Sequence, residues 1–567
     1  MISSPKLGVS FRLSVVPTRL GRGHHKNYEQ GMSMFREPVS VKGISSVLRN
    51  MHKRLYRLVK QLGAGLPGAA KLTAGLLGMA LAASVAMAAE PFPSTYRAPA
   101  SPTVVITGAT VLTGTGARLD DADVLIVDGR IAAVGRSLPV PAGAGVIDAK
   151  GRWVTPGLID IHSHLGVYPS PGMLGLRDGN EATSPVTANV WAEHSIWPED
   201  PGFETALEGG VTTLQILPGS ANLIGGRSVV VKNVAAETYQ AMKFPDAPYG
   251  LKMACGENPK RVYGERKQAP STRMGNVAGY RQAFADAEDY ARQWAKYRGE
   301  LADYQKKLDR HKEGAGAQGS HATHGSGSTG APGDGGGAHG GGKGDDLPST
   351  PPMPPKRDLK LETLAEVLAG HIRVHMHCYR ADEMATMLDV ADEFGFKIVA
   401  FHHAVEAYKI ADRLAEHGVC AAMWADWWGF KMEAFDGIQE NLPIVDRPEH
   451  SCAIVHSDSE NGVQRLNQEA AKAMAHGERA GFRVAPERAI RWLTANPAQS
   501  LGLLDRIGTL EPGKAADVVI WNRNPFSVYA LADQVFIDGA TVFDRAHPAE
   551  RPRSDFLLGM PAAGVTP

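Results

Sequence analysis

Val154-Thr155-Pro156-Gly157-Leu158-Ile159-Asp160-Ile161-His162-Ser163-His164 is an apolar run that ends in two histidines two residues apart. Pro156-Gly157 is a turn dipeptide that sets the start of a strand. In an extended strand residues i and i+2 face one side, so His162 and His164 present two imidazoles on one face at the strand's C-terminal end. Two neutral imidazoles so placed can hold one divalent ion. An HxH by itself is more often two unrelated core or loop histidines, so the rest of the chain decides the reading.

Three later stretches repeat the pattern: His371-Ile-Arg-Val-His375-Met-His377, Lys397-Ile-Val-Ala-Phe-His402-His403 and Ser451-Cys-Ala-Ile-Val-His456-Ser-Asp458. Each is a short apolar strand ending in His or Asp. His375 and His377 share a face by the same period of two. In a parallel eight-stranded barrel the strand C-termini gather at one face, where catalysis sits. Four such endings in order are what a divalent-metal site needs.

The organisation around these strands supports a barrel. Thr103–Leu112 reads as a strand and Ala122–Val134 as a hairpin turning at Asp128-Gly129. Ile507–Trp521 and Gln534–Phe543 are again short strands and turns. Between these β-rich ends, strands and helices alternate, which predicts a parallel sheet or barrel. The expected fold is α/β: a (β/α)8 TIM-type barrel with a small β-sandwich domain built from both ends of the mature chain. The boundaries are 90–155 and 501–545 for the sandwich, 156–500 for the barrel and 546–567 for a tail. Within the barrel, 311–355 reads as a disordered insertion. Its Gly-, Ser- and His-rich tract, with His311, His321, His324 and His339, buries too little apolar surface to order itself.

Composition narrows the function. The chain has 567 residues and a formal net charge of zero, which argues against nucleic acid or an anionic membrane as partner. Its four cysteines are scattered without a CxxC, so neither a zinc ribbon nor a disulfide framework is expected. Residues 51–89 read as a signal peptide: basic from Met51 to Lys60, apolar from Leu72 to Met87, then the small-x-small site Ala86-Met87-Ala88. Cleavage after Ala88 or Ala89 would start the mature chain near Glu90 and leave no stable membrane span. A periplasmic or secreted protein follows, with an uncleaved membrane anchor as the alternative. Residues 1–50 carry no usable pattern, and Met51, Met32 or Met34 are alternative starts.

The order HxH, His, His, Asp resembles the amidohydrolase superfamily of metal-dependent hydrolases. Its nearest likeness is to imidazolonepropionase-like members, including Xaa-Pro dipeptidase-type enzymes. The pieces that carry it are Thr155–His164, His403 with Glu406-Ala-Tyr-Lys409, His456-Ser-Asp458, Thr494-Ala-Asn-Pro-Ala498 and Gly508–Asp517, over about 103–545. The resemblance implies a barrel with a split β-sandwich and one or two divalent ions, with zinc expected. It implies a small-molecule substrate and allows a homo-oligomer. It makes His162 and His164 ligands of the more buried metal, His375 the fifth-strand ligand with His377 competing, and His403 the sixth-strand ligand with His402 as alternative. Asp458 would both touch metal and take the proton from the metal-activated water. At the fourth strand Lys252, if carboxylated, and Glu257 are both open, and the reading leans to Glu257.

Around this set, Trp427 and Trp428 in Trp424–Lys431 form a candidate stacking wall for an apolar or planar substrate, against packing between helices as the alternative. Arg380 is a candidate for a substrate carboxylate, against a surface salt bridge. His377 is a further candidate substrate contact. Gly219–Arg227 is Gly-rich but has neither a P-loop nor a dinucleotide spacing. Cys255 and Cys378 read as buried thiols. The expected activity is hydrolysis of a C–N bond in a non-peptide amide, cyclic amide or small dipeptide. Two alternatives stand beside it: a mononuclear deaminase, whose HxxE is absent because Cys378 occupies that offset from His375, and a non-catalytic periplasmic metal-binding protein. The complete ligand set, Asp458 included, argues against the last.

Overall fold

The computed structural model describes residues 91–170, 172–318, 350–427 and 429–547. The expected extension 1–50 and signal segment 51–89 lie outside the described residues, as do 319–349 of the Gly/His tract and 548–567 of the tail. Among the described residues no helix is long and apolar enough to cross a membrane.

The described chain opens with five strands: β1 (Val104–Leu112), β2 (Arg118–Val127), β3 (Arg130–Gly135), β4 (Gly145–Asp148) and β5 (Trp153–Pro156). Eight more follow: β6 (Leu158–Ser163), β7 (Val211–Ile216), β8 (Ile224–Lys232), β9 (Gly250–Ala254), β10 (Arg373–Cys378), β11 (Ile398–His403), β12 (Cys420–Met423) and β13 (Ala453–Val455). It closes with β14 (Val518–Trp521), β15 (Ala532–Ile537) and β16 (Ala540–Asp544).

β6 to β13 form one sheet in chain order. Their residues are buried almost throughout, which is why they read as continuous apolar runs rather than alternating ones. The sheet is mixed, a departure from the all-parallel expectation: β8 runs antiparallel to both β7 and β9. The link at 217–223 is too short for the crossover of about a dozen residues that parallel neighbours require. The sheet curls into a nearly closed barrel. No ladder joins β13 to β6, but the Asp458 amide donates to the His162 carbonyl at 3.0 Å.

Helices alternate with most of the strands. α1 (Gly202–Glu208) precedes β7; α2 (Glu257–Gly264), α3 (Arg273–Gln318) and α4 (Leu359–Leu368) lie between β9 and β10. α5 (Ala381–Phe394) precedes β11, and α6 (Ala411–Glu416) precedes β12. α5 buries Met384, Met387, Leu388 and Ala391, the i, i+3, i+4, i+7 stripe of a core-facing helix. Gly395 ends it at φ 73°, its amide bonding the Ala391 carbonyl. α3 carries helix into 311–318, so the start of the expected disordered insertion is ordered. Extending an existing helix gains a hydrogen bond for each residue fixed, so the helix outlasts the change in composition.

The two ends of the chain share a second sheet, in the order β16-β15-β14-β5-β1-β2-β3, with β4 on β1. Asp128 and Gly129 make the β2–β3 turn with φ 50° and 74°, the positive pair that a two-residue hairpin requires. Val104, Ile106, Val124, Val154, Val518 and Phe536 share one apolar cluster drawn from both ends. β14 pairs with β5, the strand that runs into the HxH strand. Gly157 lies between β5 and β6 because a Cβ there would collide with Thr212. Buried Lys232 at the end of β8 reaches Asp538 at 2.7 Å and Asp517 at 3.5 Å, tying barrel to terminal sheet.

All four cysteines are paired, which corrects the expectation of scattered buried thiols. Cys255 is bonded to Cys378 and Cys420 to Cys452. Each pair joins neighbouring barrel strands, with sequence separations of 123 and 32, so the partners became visible only through strand order. A thiol reagent added to the denatured, unreduced protein should therefore find no free cysteine, and four after reduction. Replacing Cys420 and Cys452 by Ser should lower unfolding free energy by about 2–4 kcal/mol in urea titrations.

Candidate metal centre

Five barrel strands, with the residues just past them, bring nitrogen and oxygen donors together at the strand ends. β6 supplies His162 and His164, β9 supplies Lys252, β10 His375 and His377, and β11 His402 and His403. His456 and Asp458 follow β13. Asp458 Oδ1 lies 3.1 Å from His164 Nε2 and 3.4 Å from His162 Nε2, and its Oδ2 lies 3.8 Å from His403 Nδ1. Lys252 Nζ is 3.2 Å from His162 Nε2. Two groups have ligand atoms close enough to share an ion: His162, His164 and Asp458, and His162, His403 and His456.

The backbone is bent to place these groups. His403 has φ 70° and Asp458 φ 48°, a left-handed conformation that costs an L-residue and persists only where surroundings enforce it. For Asp458 the enforcing contacts are visible. Buried Asp160 accepts from the His162 amide at 3.0 Å, from the Ser457 amide at 3.3 Å and from the Ser457 hydroxyl. The first and last barrel strands are thus stitched together directly beneath the carboxylate.

The donor set fits a divalent cation. His164 Nδ1 lies 2.8 Å from the Leu217 carbonyl and donates to it, which directs Nε2 at Asp458, 3.1 Å away. His377 Nδ1, His403 Nδ1 and His456 Nδ1 are buried with no hydrogen-bond partner among the described residues. Buried polar nitrogens are rarely left so, and a metal ion satisfies lone pairs of this kind.

Comparison with known proteins now places this geometry. The model of the "Amidohydrolase family" matches residues 361–542. The solved structure of an amidohydrolase from Thermotoga maritima MSB8 is 34% identical, covers 78% of this chain and all of its own, and superposes with a TM-score of 0.62. The amidohydrolase tasK of Hapsidospora irregularis is 32% identical over 441 residues, 74% of this chain and 40% of its own length. The chain belongs to the amidohydrolase family. It spans about two fifths of the length of tasK. A dihydroorotase of Pelotomaculum thermopropionicum is 47% identical over 127 residues, 22% of this chain and 24% of its own.

In this amidohydrolase the fifth- and sixth-strand doublets divide into two layers. His377 packs its ring 4.4 Å from that of His403, at the level of Asp458. His375 lies deeper, its Nδ1 3.0 Å from His402 Nε2. At the fourth strand Lys252 sits at the centre, whereas Glu257, in the first turn of α2, turns to Lys431 at 3.6 Å. Arg380 is engaged by Asp382 at 2.9 Å on the surface. Trp427 stacks on Trp424, centroids 5.1 Å apart, and Trp424 lies 4.6 Å from the His403 ring. Trp428 lies outside the described residues.

Tyr379, Trp424, Asn258 and Lys431 also border the centre; Trp424 and Lys431 bound the aromatic stretch quoted from the sequence, and Tyr379 and Asn258 were not singled out there. Tyr379 lies 5.0 Å from the His403 ring, and Asn258 Nδ2 3.4 Å from His377 Nε2. Lys431 donates to Asn258 Oδ1 at 3.2 Å. The first two carried a signal, since Tyr379 continues the period of two from His375 and His377 and Trp424 continues it from Ala422. Asn258 carried none, because it lies in the first turn of α2, and Lys431 was visible only as the end of the aromatic stretch.

Burial sets the protonation states. Burial, and after it the charge of Lys252 and the neighbouring imidazoles, lowers His162 well below the ordinary histidine range. Burial does the same first for His375, His377, His402 and His403, and brings His456 down to about 3. Burial also lowers Lys252 to about 8. It pushes Asp458 up, but the His164 hydrogen bond and the charges of His164, His456 and Lys252 outweigh it, and the carboxyl stays below its usual range. The six buried imidazoles, His162, His375, His377, His402, His403 and His456, are therefore neutral beside an ionised Asp458. In the metal-free protein, the unfolded chain gains protons below about pH 6.5 that the buried rings refuse, so stability falls with pH. Each ring contributes up to about 1.4 kcal/mol per pH unit. Urea midpoints of metal-free protein should drop steeply from pH 7 to 5; a flat profile contradicts the neutral-imidazole centre.

Proposed function

We propose that this chain is an exported, metal-dependent amidohydrolase that cleaves a cyclic amide or small dipeptide on a (β/α)8-type barrel flanked by a β-sandwich. The convergence of His162, His164, Lys252, His403 and Asp458 at the barrel's strand ends carries the reading. His377 completes it as the fifth-strand ligand, because it stands beside His403. Zinc suits a set of imidazoles with one carboxylate. Lys252, central and lowered to about 8, has a neutral amine accessible near physiological pH. As a carbamate it would supply the bridging oxygens of a two-ion site.

A bound divalent ion would supply a water acidified toward neutrality and a polarised amide carbonyl. The protein's own groups supply the rest. Asp458, ionised and 3.1 Å from His164 Nε2, takes the proton of the attacking water and passes it to the leaving nitrogen. His164 is fixed by Leu217 and His162 by its buried neighbours. A cavity of about 390 Å³ opens beside His164 and Asp458, lined also by Tyr168, Arg177, Asn180 and Ser220. That volume suits a small molecule rather than a polypeptide. The aromatic shelf from His403 through Trp424 to Trp427 supports a planar or apolar group on the substrate. Export is supported by two disulfides that use every cysteine, since such bonds persist in oxidising compartments.

The test is metal content joined to turnover. Metal-replete wild type should hold two ions per chain by elemental analysis and hydrolyse members of a cyclic-amide and dipeptide panel. Asp458→Asn should keep substantial metal and lose about 10²–10⁴ in kcat. Near-normal turnover in that variant would remove Asp458 from the proton-transfer role, and a metal-free wild type would sink the whole reading.

A further inference from the structure

Beneath the ligand layer runs a line of three imidazoles with no solvent access. His162 Nδ1 lies 2.9 Å from His402 Nδ1, and His402 Nε2 lies 3.0 Å from His375 Nδ1. All three residues are at most 1% exposed. His402 thus spends both ring nitrogens on other histidines, and no solvent competes for either bond. Gly250 holds the far end in place: a Cβ there would collide with Ser228 and Gln215 and press on the His375 ring at 3.0 Å.

A neutral imidazole has one N–H and one lone pair, so a line of three admits only two orders of protons. His162 Nε2 faces Lys252 at 3.2 Å and Asp458 at 3.4 Å, the position from which it would hold a metal. Its proton must then sit on Nδ1 and be donated to His402 Nδ1. His402 consequently carries its proton on Nε2 and donates to His375 Nδ1. The opposite order would put a proton on His162 Nε2 and close that lone pair to metal.

We infer that His402, backed by His375, is a positioning residue that fixes the Nδ1–H tautomer and ring orientation of His162, so that its Nε2 lone pair is presented to the metal. The inference rests on the metal-dependent reading above. It gives His402, the first histidine of the His402-His403 doublet, a role distinct from coordination. Groups that accept the N–H of a metal-binding imidazole commonly hold about 10–100-fold of metal affinity.

Two variants of the full chain separate positioning from packing. Glutamine can accept from His162 with its carbonyl and donate to His375 with its amide; leucine fills space and does neither. Zinc affinity, measured by competition with a chromophoric chelator, should fall about 10–100-fold in His402→Leu and recover most of the way in His402→Gln. Equal affinity in wild type and His402→Leu would overturn the inference, and so would equal losses in both variants. Wild type that binds no zinc would instead overturn the metal-dependent reading beneath it. Should His402→Leu fail to fold, the tautomer still decides. In metal-free wild type labelled with ¹⁵N-histidine, His162 should be protonated at Nδ1 and His402 at Nε2. Finding His162 protonated at Nε2 would overturn the assignment.

Discussion

Everything at the candidate metal centre depends on joining the first barrel strand to the last without a ladder. β6 and β13 share no strand pairing, and the gap between them is closed by the Asp458 amide on the His162 carbonyl and by Asp160 on Ser457. These bonds act on the same short segments that carry His162, His164 and Asp458. Loosening them would separate the carboxylate from the imidazoles it serves. The left-handed backbone at Asp458 has the same origin: the chain must leave β13 and turn back across the mouth within three residues. Strain of this kind is held at functional sites by surrounding contacts.

The second constraint is desolvation. Six histidines and a lysine lie essentially without solvent in the barrel's upper interior, where unpaired polar groups are costly. Some of that cost is met by the histidines bonding one another. The nitrogens left over on His377, His403 and His456 account for why the centre calls for a cation. The same burial that makes the imidazoles neutral, and hence competent ligands, also makes Lys252 a readily neutral amine. One physical cause thus prepares several groups for one task.

The terminal sheet and the disulfides brace this arrangement from outside. β14 pairs with β5 immediately before the HxH strand, and the Lys232–Asp538 pair fixes the end of β8 to the same sheet. Cys255–Cys378 links the ends of β9 and β10, the strands that bear Lys252 and His377. Strand ends that would otherwise fray are held at the level of the ligands.

The HxH strand, the two β-rich ends of the chain and the His/Asp strand endings were legible in the sequence because each depends on a local period of two or on a short motif. The alternation of strands and helices pointed to a barrel for the same reason. Tertiary structure decided what local periodicity cannot hold. A period of two puts His375 and His377 on one face, but only the packing against β11 shows that His377 stands beside His403 while His375 bonds His402. Lys252 and Glu257 are five residues apart in the chain, yet one lies at the centre and the other pairs with Lys431, because the first is within β9 and the second begins α2. The cysteine pairs and the His162-His402-His375 line arise between segments far apart in sequence. Their partners are chosen by strand order and packing, which are properties of the whole fold.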